Sequence, residues 1–113
     1  MVLVNLSLFA AAGVCEIAGG WLYWRYFRGS PSERVWWRLL LGMMLLLLYG
    51  YLPTLQPPGM EFGRTYAVYG GVFILMSLAW AWAVDGQRPD KGDGIGAAIA
   101  IAGVAVMLYW PRG

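Results

Sequence analysis

Histidine is missing from all 113 residues, and cysteine occurs once, as Cys15. Without an imidazole and with one thiol there is no Cys/His cluster of metal-binding spacing, no intramolecular disulfide, and no Ser-His-Asp or Cys-His nucleophile system. Ser7 and Ser77 lie in apolar runs with no base beside them, so neither a metal, another cofactor nor enzymatic activity is expected. Charge is scarce as well: charged residues make up 12% of the chain, and the formal net charge is +2. A charge this small, placed at the ends of apolar runs rather than along one face, does not fit nucleic-acid binding.

What is present in excess is apolar surface, 60% hydrophobic and 16% aromatic, well outside the globular range and natural for a lipid environment. Crossing the hydrocarbon layer of a bilayer, about 30 Å thick, takes about 20 apolar helical residues. Four runs of that kind occur, Val2 to Trp24, Val35 to Leu52, Tyr66 to Val84 and Gly94 to Trp110, and they use most of the chain. The first starts without a preceding Lys or Arg, contains an acid and is too long for a secretory leader, so it is expected to be retained as a helix.

Turn chemistry separates the runs. Gly29, Ser30 and Pro31 end the first and restart the chain; Pro53, Pro57, Pro58 and Gly59 make a stretch that is expected to form an extended surface loop; Asp85 to Asp93 reads as a polar hairpin. Short connections force neighbours to run antiparallel, so the expected fold is all-α, one domain over 1–113, with four transmembrane helices in an up-down-up-down bundle. Six basic residues (Arg25, Arg28, Arg34, Arg38, Arg88, Lys91) flank connections one and three, against Arg64 and Arg112 on the other side. By the positive-inside rule both termini are expected to face outward.

Glu16 is the only charged side chain between Val2 and Trp24. A carboxylate near mid-bilayer costs roughly 2.5 to 3.5 kcal/mol on insertion scales, so it is read as a substrate, ion or proton site, with helix association as the bland alternative. Ala12, Gly13, Gly19 and Gly20 share its side at spacings of three and four, small neighbours that are expected to leave room around it. A proton and an organic cation would compete for this one carboxyl group, and competition with alternating access gives antiport.

The third run presents Tyr66, Tyr69, Gly70, Phe73, Ser77 and Trp80 at helical spacing. Aromatic faces attract cations within about 6 Å, so Tyr66, Tyr69 and Phe73 are candidate walls of a cation pocket. Tyr49, in the second run, is a candidate donor to Glu16 or equally to a backbone carbonyl; interfacial-belt and bundle packing is the competing reading for the third-run aromatics. Trp21, Trp24, Trp36, Trp37 and Trp110, at span ends, read as interfacial belts. The fourth run carries Gly96 and Gly103 one heptad apart among alanines, a surface suited to close helix approach and to a homodimer.

An ordered set of motifs carries a resemblance: Cys15-Glu16-Ile-Ala-Gly-Gly20, Tyr49-Gly-Tyr-Leu-Pro-Thr-Leu-Gln-Pro57, Phe62-Gly-Arg-Thr-Tyr-Ala67, Tyr69-Gly-Gly71, Val84-Asp-Gly-Gln-Arg-Pro-Asp90 and Tyr109-Trp-Pro-Arg112. Over essentially the full chain the sequence resembles the YnfA family of small inner-membrane proteins, and more distantly the small multidrug resistance transporters. The distant likeness rests on Glu16, Gly63, Tyr66-Ala67, Gly86-Gln-Arg88, Asp90, Gly96 and Gly103. It implies a small-multidrug-resistance-like fold in the bacterial inner membrane, with proton-coupled efflux of small cations. It further implies Glu16 as the shared carboxylate, Tyr66 in the pocket, and Gly96 and Gly103 in a dimer-forming helix. The chain departs from that pattern in having Tyr69 where a tryptophan is usual and Gly71-Val-Phe73 in place of a Gly-x-Gly hinge. Arg64 has no counterpart in the pattern and reads as an interfacial anchor.

Overall fold

A computed structural model describes residues 5–59 and 61–112. Four helices carry the chain: α1 (Leu6–Arg28), α2 (Trp36–Tyr51), α3 (Phe62–Ala83) and α4 (Lys91–Tyr109), with 3-10 turns at Pro31–Glu33 and Leu52–Leu55. No strand occurs among the described residues. Each helix, α2 together with the turn that follows it, is long and apolar enough to cross a bilayer.

The helix ends differ from the hydropathy boundaries by a few residues, because caps rather than hydropathy set them. Asn5 starts α1, its Oδ1 accepting the Ser7 backbone N–H at 3.1 Å; residues 1–4, where the first run was expected to begin, lie outside the described residues. At the far end α1 runs on to Arg28, because arginines in a last turn suit the negative end of the helix dipole and reach out to the interface. A capping box at Asp90 and Asp93, with bonds of 2.8 and 3.1 Å, starts α4 three residues ahead of the apolar run. Glu61 likewise precedes α3, which opens at Phe62.

Pro53 corrects one expectation. It is buried, and the 3-10 turn at Leu52–Leu55 packs against α1, so the second connection is not an extended surface loop from its first proline onward. A proline at the start of a 3-10 turn loses no hydrogen bond that the turn needs, which lets it close the helix while staying inside the protein. Beyond it, Gln56 ties this end to the start of α1, its Nε2 donating to the Asn5 carbonyl and its Oε1 accepting the Asn5 N–H, both at 2.8 Å.

The principal packing contacts join α2 to α1, α1 to α3, and α3 to α4. That chain of neighbours makes a slab, 56 × 34 × 18 Å, with α1 inside and α4 at one edge. Contacts between α1 and α2 run in opposite sequence order: Asn5 meets Gln56, Gly19 meets Gly42, and Arg25 pairs with Glu33. The closest approach is at Gly19 and Gly42, where a side chain on either residue would press on the other's carbonyl oxygen. Small residues permit such an approach, which matters in lipid because the hydrophobic effect gives no attraction between helices there.

The buried cluster is small, Phe9, Ala12, Val68 and Tyr69, ringed by Tyr49, Leu52, Val72, Phe73, Val104 and Leu108. Large apolar side chains such as Leu40, Met44, Leu47, Ile95 and Ile99 point outward instead. Against water such a surface would aggregate; against acyl chains it is matched.

Candidate functional site

The candidate acid is tied to the small cluster by a hydrogen bond. Glu16 lies midway along α1, and its Oε1 accepts a hydrogen bond of 2.6 Å from the Tyr69 hydroxyl on α3. Tyr69 is 4% exposed, so the bond sits in a low-dielectric interior, where a hydroxyl bound to a carboxylate is short and strong.

Rings surround Tyr69. Tyr69 has its centroid 5.7 Å from Tyr49, 5.8 Å from Phe73, 6.4 Å from Tyr66 and 5.8 Å from Phe9. Tyr66, Tyr69 and Phe73 share a face of α3 because they stand three and seven residues apart. Tyr49 comes in from α2, one turn ahead of Pro53. The structure therefore brings together all five candidate residues of the pocket, centred on Tyr69. Tyr69 holds the short hydrogen bond; Tyr49, the candidate donor, stands beside the same acid with its ring against Tyr69.

Phe9 is the wall that sequence reasoning missed. It is fully buried and stands seven residues before Glu16, on the same face of α1, so the heptad spacing was the available signal. The glycines around Glu16 act differently from expectation. A Cβ on Gly13 would meet the Met76 sulfur and one on Gly19 the Gly42 carbonyl, so these residues seat neighbouring helices. Gly20, one turn beyond Glu16, has open space over it.

Gly96 and Gly103 stand apart from this site, on α4, with no atom within 4 Å of the place a side chain would occupy. Arg64 is exposed in the first turn of α3. Among the described residues no group of three or more Cys, Asp or Glu side chains could hold a metal ion. Chemically, then, the site joins one carboxyl group, through the Tyr69 hydroxyl, to a cluster of aromatic rings.

A family model described as "Uncharacterised BCR, YnfA/UPF0060 family" matches residues 2–113. The chain belongs to the YnfA/UPF0060 family. It is 52% identical over 105 residues to a UPF0060 membrane protein of Herpetosiphon aurantiacus, covering 93% of each. Similarity to the UPF0060 membrane protein of Clostridium beijerinckii is 45% over 112 residues, covering 99% of this chain and 98% of the relative. For the Synechocystis relative it is 48% over 112 residues, covering 99% of each. No solved structure is significantly similar. With four membrane-length helices and relatives named as membrane proteins, this YnfA/UPF0060 chain is a small multi-pass integral membrane protein whose outer surface meets lipid.

Proposed function

We propose that the protein is a homodimeric inner-membrane transporter that exchanges protons for small organic or aromatic cations, with Glu16 as the shared site. One observation carries this reading: the 2.6 Å bond to Glu16 from Tyr69, whose ring packs against Phe9, Tyr49, Tyr66 and Phe73. A carboxyl group that serves helix association alone has no need of a donor packed against four other rings. When the carboxylate is ionised the rings and the charge attract an alkylated or flat cation; when it is protonated the attraction falls to the π faces alone. Mutually exclusive occupancy of one group couples the two fluxes, provided that the group faces one side of the membrane at a time.

The shape of the protomer favours a pair. A slab 18 Å thick encloses no transport path by itself, whereas two slabs placed face to face do. The uncovered α4, with Gly96 and Gly103 open to approach, offers a second copy a close-packing surface. In this reading the helices cross up-down-up-down and the basic connections lie in the cytoplasm, so both termini face the periplasm. Uniform insertion makes the pair parallel; a reporter fused to the C-terminus checks it.

The test is proton-driven cation flux in proteoliposomes with Glu16→Gln. Loss of flux with the dimer intact supports the coupling, and unchanged flux refutes it. A second reading rests on the same bond: because it ties α1 to α3, Glu16 would serve assembly in a non-transporting structural or regulatory subunit. There Glu16→Gln changes stability, and no cation gradient forms even in the parent protein.

A further inference from the structure

At the end of α3 the chain turns sharply. Gly86 adopts φ +71°, a left-handed conformation that a residue with a Cβ enters only at a cost, and the Gln87 N–H donates to the Ala81 carbonyl at 2.8 Å. This turn swings Asp85 back toward α1, where its Oδ1 accepts a hydrogen bond of 3.1 Å from the Trp21 indole Nε1. Two residues that read separately as an interfacial belt and an ordinary hairpin thereby meet across 64 positions of sequence.

They form a wall of a pocket of about 370 Å³, whose other principal sides are Trp24, Phe73, Trp80 and Gln87. Trp21 and Trp80 meet edge to face, centroids 6.1 Å apart at 65°. Phe73 stands between this pocket and the Glu16 cage, since its opposite neighbour is Tyr69 at 5.8 Å. Asp85 has no ion-pair partner among the described residues, where the single salt bridge is that of Arg25 with Glu33. Arg25 lies 5.1 Å from the Trp21 ring centroid, so one cation already rests on this indole, with its own charge matched by Glu33.

We propose that this pocket is a second binding site, for alkylammonium cations, built from Trp21, Trp24, Phe73, Trp80 and Asp85 and separate from Glu16. The chemistry selects the occupant. A bare metal ion needs about six or more oxygens to replace its water, and one carboxylate beside four rings does not supply them. An acyl chain would strip water from Asp85 and return nothing to it. A quaternary or alkylated ammonium holds water weakly, fills a volume of this size and gains from both the ring faces and the carboxylate. The same group occurs free in solution and on choline headgroups, and the pocket's position at the helix ends is reachable from either. Binding here does not depend on proton exchange at Glu16.

The test uses the full-length protein with 15N-labelled tryptophan in phosphatidylglycerol vesicles, titrated with choline and, in parallel, with its uncharged isostere 3,3-dimethylbutan-1-ol. The Trp21 indole resonance, assigned through Trp21→Phe, is expected to shift saturably with choline and to respond at least about tenfold more weakly to the isostere. Asp85→Asn keeps an acceptor for Trp21 while removing the charge, and it should weaken choline binding about tenfold. Trp24→Leu removes an exposed wall without touching Asp85 and should weaken binding about threefold, which covers the case of an Asn variant that fails to fold. Glu16→Gln should leave the titration unchanged, whatever it does to flux.

Equal response to the isostere, a choline response that survives in folded Asp85→Asn, or one that vanishes in Glu16→Gln overturns the proposal. So does the absence of a saturable shift in the parent protein. Phosphatidylcholine in the vesicles distinguishes the two sources: suppression of the free-choline response identifies a headgroup site, and an unchanged response identifies a soluble cation; both support the pocket.

Discussion

Adjacent glycines on α1 give the sharpest test of the packing, because a methyl group on one should clash and on the other should not. An ideal Cβ on Gly19 falls 2.9 Å from the Gly42 carbonyl oxygen and 2.9 Å from Leu46 Cγ; on Gly20 it meets nothing within 4 Å. Both Gly→Ala changes gain about 0.5 to 1 kcal/mol from the better helix propensity of alanine. At Gly19 the obstructing atom is backbone, so α1 and α2 must separate, an overpacking cost of about 1 to 3 kcal/mol. The propensity gain is common to both variants and cancels in their difference, leaving Gly19→Ala less stable than Gly20→Ala by about 1 to 3 kcal/mol. Reversible SDS unfolding of both variants in the same micelles measures that difference. Other glycines set the order: Gly71→Ala, facing the stiff Val104, should cost more than Gly13→Ala, facing the pliable Met76. Equal stabilities for Gly19→Ala and Gly20→Ala would refute the α1–α2 approach described above.

Removing the hydroxyl with Tyr69→Phe should destabilise the fold, and a double-mutant cycle with Glu16→Ala should give a coupling of about 0.6 to 1.7 kcal/mol, the range for hydrogen bonds inside membrane proteins. A coupling of zero would detach Tyr69 from the acid. Gly103→Leu on α4 meets no neighbour inside the protomer, so monomer stability should hold while association in lipid, followed by energy transfer between labelled copies, falls at least about tenfold if that face joins two copies. Unchanged association would move the dimer contact to another helix.

Much of the site was legible before any folding was considered. Tyr66, Tyr69 and Phe73 stand at helical intervals, and a lone acid in a membrane-length run stands out because its insertion is costly. Local spacing does not reveal which donor reaches that acid, since Tyr49 and Tyr69 are equally plausible on separate helices until α2 and α3 are placed against α1. Phe9 was overlooked because an apolar residue in an apolar helix carries no contrast, and Trp21 because its partner lies 64 residues away across a glycine turn.

Composition and period alone determined that this chain is helical, membrane-embedded and crossed by four spans, because lipid demands that every backbone polar group be satisfied within its own segment. Only the tertiary structure decided that Gly13 and Gly19 seat helices, that Pro53 is internal, and that rings from α1, α2 and α3 converge on Tyr69, the donor to Glu16. The physical reason is that helix formation in lipid is a local matter of hydrogen bonds. Which faces meet depends on side-chain shape summed over partners distant in sequence.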